Sequence, residues 1–343
     1  MLKKLSLQNF TTFEEAEFNF SSGINIIIGE NSTGKSHILK LAYSVAAVWN
    51  QCGNEGWREA LIKKLHGSFR IEDLMELKNR NTLLKEDIKH HVSLEFFVDH
   101  KNQASESIDF DLIKRDKLAI RKHPNAPLLK QPLFFPAKEV LSLFPNFTTL
   151  FEKYALSFDE TYYDLCKAID NPLLNEPNQE LISKIEKVMG GEIVLKANNF
   201  YLETKQGAFN IFMVAEGVRK FGMLSYLIAN DSLKENSILF WDEPETNLNP
   251  RLMKQLAIFL VELTKHNIQI VIATHNLFLM KYFDYLISHS DTEIPAAFFS
   301  LVNSEQGVKV GQGSRLNKLQ SIIALEEELA LYDKEQAAIY ADL

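Results

Sequence analysis

The stretch Gly29-Glu30-Asn31-Ser32-Thr33-Gly34-Lys35-Ser36 limits what this chain can fold into more than any other part of it. It follows INIII (24–28), a short β-branched run suited to a strand buried on both faces. It leads into SHILKLAYSVAAVW (36–49), whose apolar residues at 38, 39, 42, 45, 46 and 49 form one helix stripe. A strand, a glycine turn and a helix in that order make an anion cradle, because backbone N–H groups meet negative charge without side-chain bulk. Gly29 and Gly34 give the turn its angles and close approach, and Lys35 reaches the terminal phosphates of a nucleotide. The Ser36 hydroxyl is the expected Mg²⁺ ligand, and Glu30, Asn31, Ser32, Thr33 and His37 complete the phosphate-facing loop.

A partner motif stands two hundred residues on. Ile238-Leu239-Phe240-Trp241 reads as a core strand, with Asp242 and Glu243 at its C-terminal end, where parallel sheets bind ligands. Asp242 is expected to hold the magnesium, and Glu243 to orient or deprotonate an attacking water. The next apolar run, IQIVIAT (268–274), ends at His275, placed to bond the γ-phosphate. Between the two runs RLMKQLAIFLVELTK reads as a helix, and strand–helix–strand alternation implies a parallel sheet.

The rest of the chain adds β and helical material. KLSLQNF and EAEFNF alternate as strands, and VSLEFFVD (92–99) with DKLAIRK (116–122) reads as an antiparallel pair before the strand LFFP. Residues 50–90 are mixed and charged, with little to anchor them. Residues 146–190 are helical in pattern, a hairpin follows Gly190-Gly191, and a helix follows Gly217. The end reads as a hairpin (AAFFSLV, GVKVG) and the helix LNKLQSIIALEEELALY, with no heptad run long enough for a coiled-coil arm.

Composition excludes several classes. With 343 residues, 46% apolar and 24% charged, the chain has material for a sizeable core. A net charge of −8 argues against a domain built mainly to coat nucleic acid, though a local patch remains open. Lys114, Arg115, Lys117, Arg121 and Lys122 cluster as a solvated hairpin face or, alternatively, a nucleic-acid track. The opening MLKKLSLQNF has no apolar signal region, and no run reaches the roughly 20 apolar residues of a membrane helix, so a cytoplasmic location is expected. Cys52 and Cys166 lack metal-like spacing and are expected as thiols rather than a disulfide.

Phosphate loop, WDEPETNLNP and THN together resemble the ABC class of ATPases, and more narrowly its soluble SMC, RecF and OLD-like (AAA15-like) group. The opening LSLQNFTTFEEAEFNFSSGINIIIGENSTGKS is similar to the opening of that group. The resemblance covers the first fifty residues and roughly 186–343. It implies an α/β fold of P-loop NTPase type, a mixed β-sheet core with an antiparallel β subdomain and a helical lobe. On that layout residues 1–145 form the first nucleotide-binding part, 146–235 the helical lobe with the signature helix, and 236–343 the second nucleotide-binding part.

The resemblance further implies a head-to-tail dimer, or a higher oligomer, with ATP and Mg²⁺ held between one chain's phosphate loop and the other's signature helix. Val214-Ala215-Glu216-Gly217-Val218-Arg219 matches that signature best, with Gly217 opening a helix whose dipole faces the opposite phosphate. Ala215 stands where the group usually has serine, so one hydroxyl contact is missing. Arg219 is expected to compensate electrostatically, the alternative being a plain surface arginine. Thr246, Asn247 and Asn249 stand where the D-loop crosses the interface, and Gln131 and Lys138 are both in range of the Q-loop position.

Three functions compete on this footing. One is an ATPase acting as dimeric scaffold or sensor for a separate effector, a nuclease or toxin, in bacterial antiphage defence, as in PtuA-like proteins. The second is a RecF- or SMC-like DNA-repair ATPase. The third, an ABC-transporter nucleotide-binding subunit, is opposed by the absence of an LSGGQ form. No nuclease site is expected in this chain, since Asp291-Thr292-Glu293 reads as a loop and no zinc or histidine cluster is visible.

Overall fold

The β-branched runs become the centre of the molecule. In the computed structural model, which describes residues 1–51, 56–79, 89–99, 104–125, 128, 131–305 and 307–341, the chain opens with β1 (Leu2–Phe10), β2 (Phe13–Asn19), β3 (Ile24–Gly29), α1 (Lys35–Gln51) and α2 (Trp57–Phe69). Next come β4 (His91–Asp99), β5 (Ala104–Lys114), β6 (Lys117–Lys122) and β7 (Leu133–Phe135). A helical stretch follows: α3 (Phe147–Lys153), α4 (Glu160–Ile169) and α5 (Gln179–Met189). The hairpin strands β8 (Gly191–Lys196), β9 (Asn199–Thr204) and β10 (Gly207–Asn210) lead to α6 (Glu216–Ala229). β11 (Ile238–Asp242), α7 (Pro250–Lys265), β12 (Gln269–Thr274) and α8 (Leu277–Ser288) alternate, and β13 (Ala296–Ser304), β14 (Gly307–Gly313) and α9 (Ile323–Ala341) close the described chain.

The core sheet has the order β14-β13-β3-β12-β11-β7. β13, β3, β12, β11 and β7 run parallel to their neighbours, and β14 is antiparallel. Its two faces explain why its strands are apolar without alternation. Ile24, Ile26, Ile28, Leu239, Trp241, Ile270 and Ile272 pack on one side with the helices from α4 to α8. Ile27, Phe134, Phe240, Val271, Ala273 and Phe299 pack on the other with α1, α2 and a five-stranded antiparallel sheet, β2-β1-β4-β5-β6. Each fully buried Ile or Leu contributes about 1.5–3 kcal/mol relative to exposure, so these faces fix the layering. The small sheet β10-β9-β8 abuts α5 and α6. The fold is thus an α/β P-loop NTPase of ABC type, with the mixed core, antiparallel sheet and helical lobe expected.

Several local expectations change. VSLEFFVD and DKLAIRK do not pair: β5 lies between them and bonds to both. Segment 50–90 contains α2, anchored by buried Trp57, Leu61 and Leu65. A further helix, α8, fills the stretch after His275, and the closing helix begins at Ile323 after a single 3₁₀ turn at Leu316–Lys318. Cys166 is a free buried thiol whose pKa burial pushes up to about 12, and Cys52 lies outside the described residues. On the β5–β6 hairpin Arg121 pairs with Asp111, and Arg115 lies 3.9 Å from Asp73. These two arginines therefore face carboxylates. No helix among the described residues is long and apolar enough to cross a membrane.

Candidate nucleotide site

The site gathers at the C-terminal edge of three adjacent parallel strands. Registers of Ile28 with Thr274 and of Asp242 with Ala273 put the phosphate loop, the carboxylate pair and His275 on one edge. The loop between β3 and α1 is tied to itself. Thr33, fully buried, donates to the Glu30 carbonyl at 2.9 Å, and Thr12 donates to the Thr33 carbonyl at 3.3 Å. Gly34 has φ 91°, and a Cβ there would meet Thr12 Oγ1 at 2.5 Å, so both backbone angle and space demand glycine.

Lys35 is buried, and its ammonium donates to the carbonyls of Gly29 and Glu30, each at 2.7 Å. Burial pulls its pKa down, while the carboxylates of Glu243, Asp242, Glu245 and Glu30 act in the opposite direction. Ser32, Gly34, Lys35, Ser36 and His37 line one wall of a cavity of about 1020 Å³. Glu243 also lines it, and it extends toward Thr11, Phe69, Ile71 and Met75.

Behind the loop, the Ser36 hydroxyl is close enough to the Asp242 carboxylate to favour its charged form, and Asp242 Oδ1 is buried with no hydrogen-bond partner. Burial, and then the charge of Glu243, push the Asp242 pKa up, opposed by the Ser36 hydroxyl, Lys40 and Lys35. A buried carboxylate oxygen without a partner is costly unless a cation meets it. A hydroxyl beside such an oxygen is an oxygen donor set of the kind Mg²⁺ takes, so Ser36 and Asp242 fit that ion.

Glu243 has φ 46°, a left-handed conformation costing of order 1–3 kcal/mol for a non-glycine residue. Its N–H donates to the Ala273 carbonyl at 2.9 Å, and its Oε1 lies 3.4 Å from His275 Nδ1. The pattern missed Glu245, which is buried and accepts from the Thr274 hydroxyl at 2.6 Å and the His275 N–H at 3.4 Å. A second carboxylate two residues past Glu243, in a turn that must return to the sheet, was the available signal.

The other expected elements stand apart from this cavity. None of Ala215, Glu216, Gly217, Arg219 or Asn247 lines it. α6 begins at Glu216 rather than Gly217, with exposed Ala215 as an N-cap that makes no side-chain bond. Gly217 faces inward: a Cβ would meet Leu248 Cδ2 at 2.8 Å and the Asn247 carbonyl at 3.1 Å. Arg219 is not a plain surface arginine, because it is largely buried and sits 3.2 Å from Glu139. Asn247 is exposed with φ 61°, and Asn249 caps α7 through the Leu252 N–H at 3.0 Å.

Strand direction separates the two Q-loop candidates: Gln131 precedes β7, at the far edge, whereas Lys138 follows it on the same edge as Asp242. Asp291-Thr292-Glu293 lies outside any helix or strand. The cluster of possible metal ligands found among the described residues, Glu180, Glu262 and His266, is already ion-paired by Lys184 and Lys265.

Comparison with known proteins places this geometry. Residues 24–281 match the family described as "AAA domain, putative AbiEii toxin, Type IV TA system". The "DNA replication and repair protein RecF" of Streptococcus gordonii is 47% identical over 45 residues, 13% of this chain and 12% of that protein. The "DNA double-strand break repair Rad50 ATPase" of Methanococcus maripaludis is 28% identical over 112 residues, 32% of this chain and 11% of that one. The chain thus aligns with only a small part of the length of these curated relatives.

Among solved structures, an SMC head bound to the C-terminal winged-helix domain of ScpA superposes with a TM-score of 0.61 at 14% identity, covering 92% of this chain and 98% of that one. A Pyrococcus furiosus Smc head with extended coiled coil gives 0.57 at 12% identity, over 98% and 99%. The likeness to the heads concerns the fold, and the family match spans three quarters of the chain, including the phosphate loop, both carboxylates and His275. The chain therefore belongs to this AAA-domain family, with the fold of an SMC head domain.

Proposed function

We propose that this chain binds Mg-ATP in the cavity above the phosphate loop and hydrolyses it when a second copy closes the site. The observation that supports this best is the meeting of Lys35, Ser36, Asp242, Glu243 and His275 on one sheet edge, with a buried, unpartnered oxygen on Asp242. In this reading the loop N–H groups and Lys35 bind the β- and γ-phosphates. The nucleoside extends toward Thr11, Phe69 and Met75. Ser36 and Asp242 hold the Mg²⁺, which when bound offsets charge on the terminal phosphates. Glu243 orients the water and takes its proton, and His275, 3.4 Å away, steadies that carboxylate and bonds the γ-phosphate. Ala215, Glu216, Gly217, Arg219 and Asn247 belong to the face offered to the second copy, Gly217 and Arg219 by shaping it from behind. The division into 1–145, 146–235 and 236–343 is part of the same proposal.

We further propose a cytoplasmic, dimeric scaffold or sensor whose ATP state controls a separate effector, a nuclease or toxin, in antiphage defence. Its support is the family match, whose description names a toxin system, together with the loop character of 291–293. A DNA-repair role has its own support in the RecF and Rad50 relatives. Native mass spectrometry of the complex purified from its host, with and without nuclease treatment, separates the two. A copurifying nuclease or toxin that survives the treatment supports the effector reading. DNA alone overturns it in favour of repair.

A further inference from the structure

We infer that Lys220 is a positioning residue that holds Glu243 in its working geometry and links it to the helix facing the second copy. Lys220 is 1% exposed and lies one turn after Gly217 on the inner side of α6. Its ammonium donates to the carbonyls of Thr246 at 2.8 Å, Pro244 at 3.2 Å and Glu243 at 3.5 Å. An ammonium has three N–H donors, and here all three find peptide oxygens of one turn. Burying such a charge costs several kcal/mol unless every donor is met, and an apolar residue packs a helix against a loop more cheaply. A purely structural position therefore favours leucine or methionine, and a lysine points to a requirement of the turn itself.

That turn begins at Glu243, whose backbone is left-handed and strained. Its N–H is fixed by Ala273, and Lys220 ties down the turn that follows it through the Thr246 and Pro244 carbonyls, with a longer contact to the Glu243 carbonyl, so the backbone on both sides of its Cα is held. The side chain is then aimed at His275, 3.4 Å away, and at the cavity containing Lys35. Gly217 completes the arrangement, since only a residue without Cβ lets α6 approach Leu248 and Asn247 closely enough for Lys220 to reach. A shift of α6 therefore moves the Glu243 carbonyl without moving the phosphate loop. Contact at the exposed α6 N-terminus thereby reaches the attacking water, while nucleotide binding stays where it is.

The inference rests on the proposed hydrolytic role of Glu243, and its test keeps the two apart. ATP turnover and the affinity for a fluorescent ATP analogue with Mg²⁺ are measured for the full chain and for Lys220→Met, Lys220→Arg, Glu243→Gln and the Lys220→Met/Glu243→Gln pair. Lys220→Met is expected to lower kcat about 100-fold with affinity changed by less than about threefold, the size of effect a displaced catalytic group produces. Lys220→Arg, which keeps the charge and its donors, is expected to recover part of that loss. The double variant is expected to be no slower than Glu243→Gln alone, because Lys220 acts through that carboxylate.

An unchanged kcat in Lys220→Met beside an inactive Glu243→Gln overturns the inference and leaves the site reading intact. So does a loss of affinity in step with kcat, or multiplicative losses in the double variant. A fully active Glu243→Gln overturns the site reading instead. Should Lys220→Met fail to fold, Lys220→Gln, which keeps an N–H donor pair, is judged by the same criteria.

Discussion

Around Lys35 the chain bonds its own polar groups: the ammonium to two loop carbonyls, Thr33 to Glu30, Thr12 to the Thr33 carbonyl. Around Ala215 it leaves the surface open. The first turn of α6 has no side-chain cap, and just before it Phe212 and Met213 are 62% and 80% exposed. One region is a cradle whose loop is tied within the chain, with the Asp242 Oδ1 left for a cation. The other is a helix end and an apolar lip whose inner side is fixed by Gly217 and Lys220 and whose outer side awaits a contact. Binding and turnover should therefore separate, with binding sensitive to the first region alone.

Lys35→Ala should break the cradle most severely. It removes the cation that the phosphates require and the two bonds that shape the loop. Nucleotide affinity measured by calorimetry is expected to fall at least 100-fold, on the scale of losing a buried charge-assisted contact. Undiminished affinity would show that the nucleotide sits elsewhere. Glu243→Gln should instead preserve affinity and slow hydrolysis about 100- to 10,000-fold, as loss of a general base does. A normal rate in that variant would move the base to another residue.

The same contrast decides what could be read from the residues alone. The cradle is local: a β-branched run, two glycines, a lysine and a helix stripe lie within thirty residues, so periodicity and steric demands expose it. Asp242 and His275 were legible for the same reason, each closing an apolar strand. β5 was available by the same alternation that marks β2, since SESIDFDLI buries Ile108, Phe110 and Leu112 at every second position between outward acids and serines. α2 was hidden by charges flanking Trp57, Leu61 and Leu65. The Q-loop choice needed strand direction, which places Lys138 and not Gln131 on the working edge. Lys220 was unreadable because a lysine beside a helix stripe looks like solvated charge. Its partners, three carbonyls more than twenty residues on, exist only in the fold.

Gly217→Ala tests the inner side of the open region. Alanine favours a helix over glycine by about 1 kcal/mol, so on propensity alone the variant should be more stable. The added Cβ, however, meets Leu248 at 2.8 Å and the Asn247 carbonyl at 3.1 Å. Leu248 can turn aside, but the peptide at Asn247 must shift, and with it the turn that Lys220 holds. Turnover is expected to drop about tenfold with affinity retained, a smaller misplacement than removing Lys220. A variant that gains stability and keeps full turnover would show that the close approach of α6 is dispensable.

Ala215→Ser is the mildest change and bears directly on the outer side. The Ala215 backbone, at φ −58° and ψ 140°, already has the extended geometry of an N-cap, and its carbonyl accepts from the Val218 and Arg219 N–H groups. What is missing is a side-chain oxygen for the free N–H groups of the first turn. A serine there supplies it and is expected to add about 1 kcal/mol of stability, seen as a rise of a few degrees in Tm. The same hydroxyl can face a phosphate held by a second copy, so ATP-dependent self-association by sedimentation should tighten, with affinity in the isolated chain unchanged. The two readouts compete for one oxygen. If Tm rises and association does not, the α6 N-terminus is a capped helix end and not half of a composite site. If association tightens in the presence of ATP while Tm barely moves, the hydroxyl is turned outward, and the open region completes the cradle of another chain.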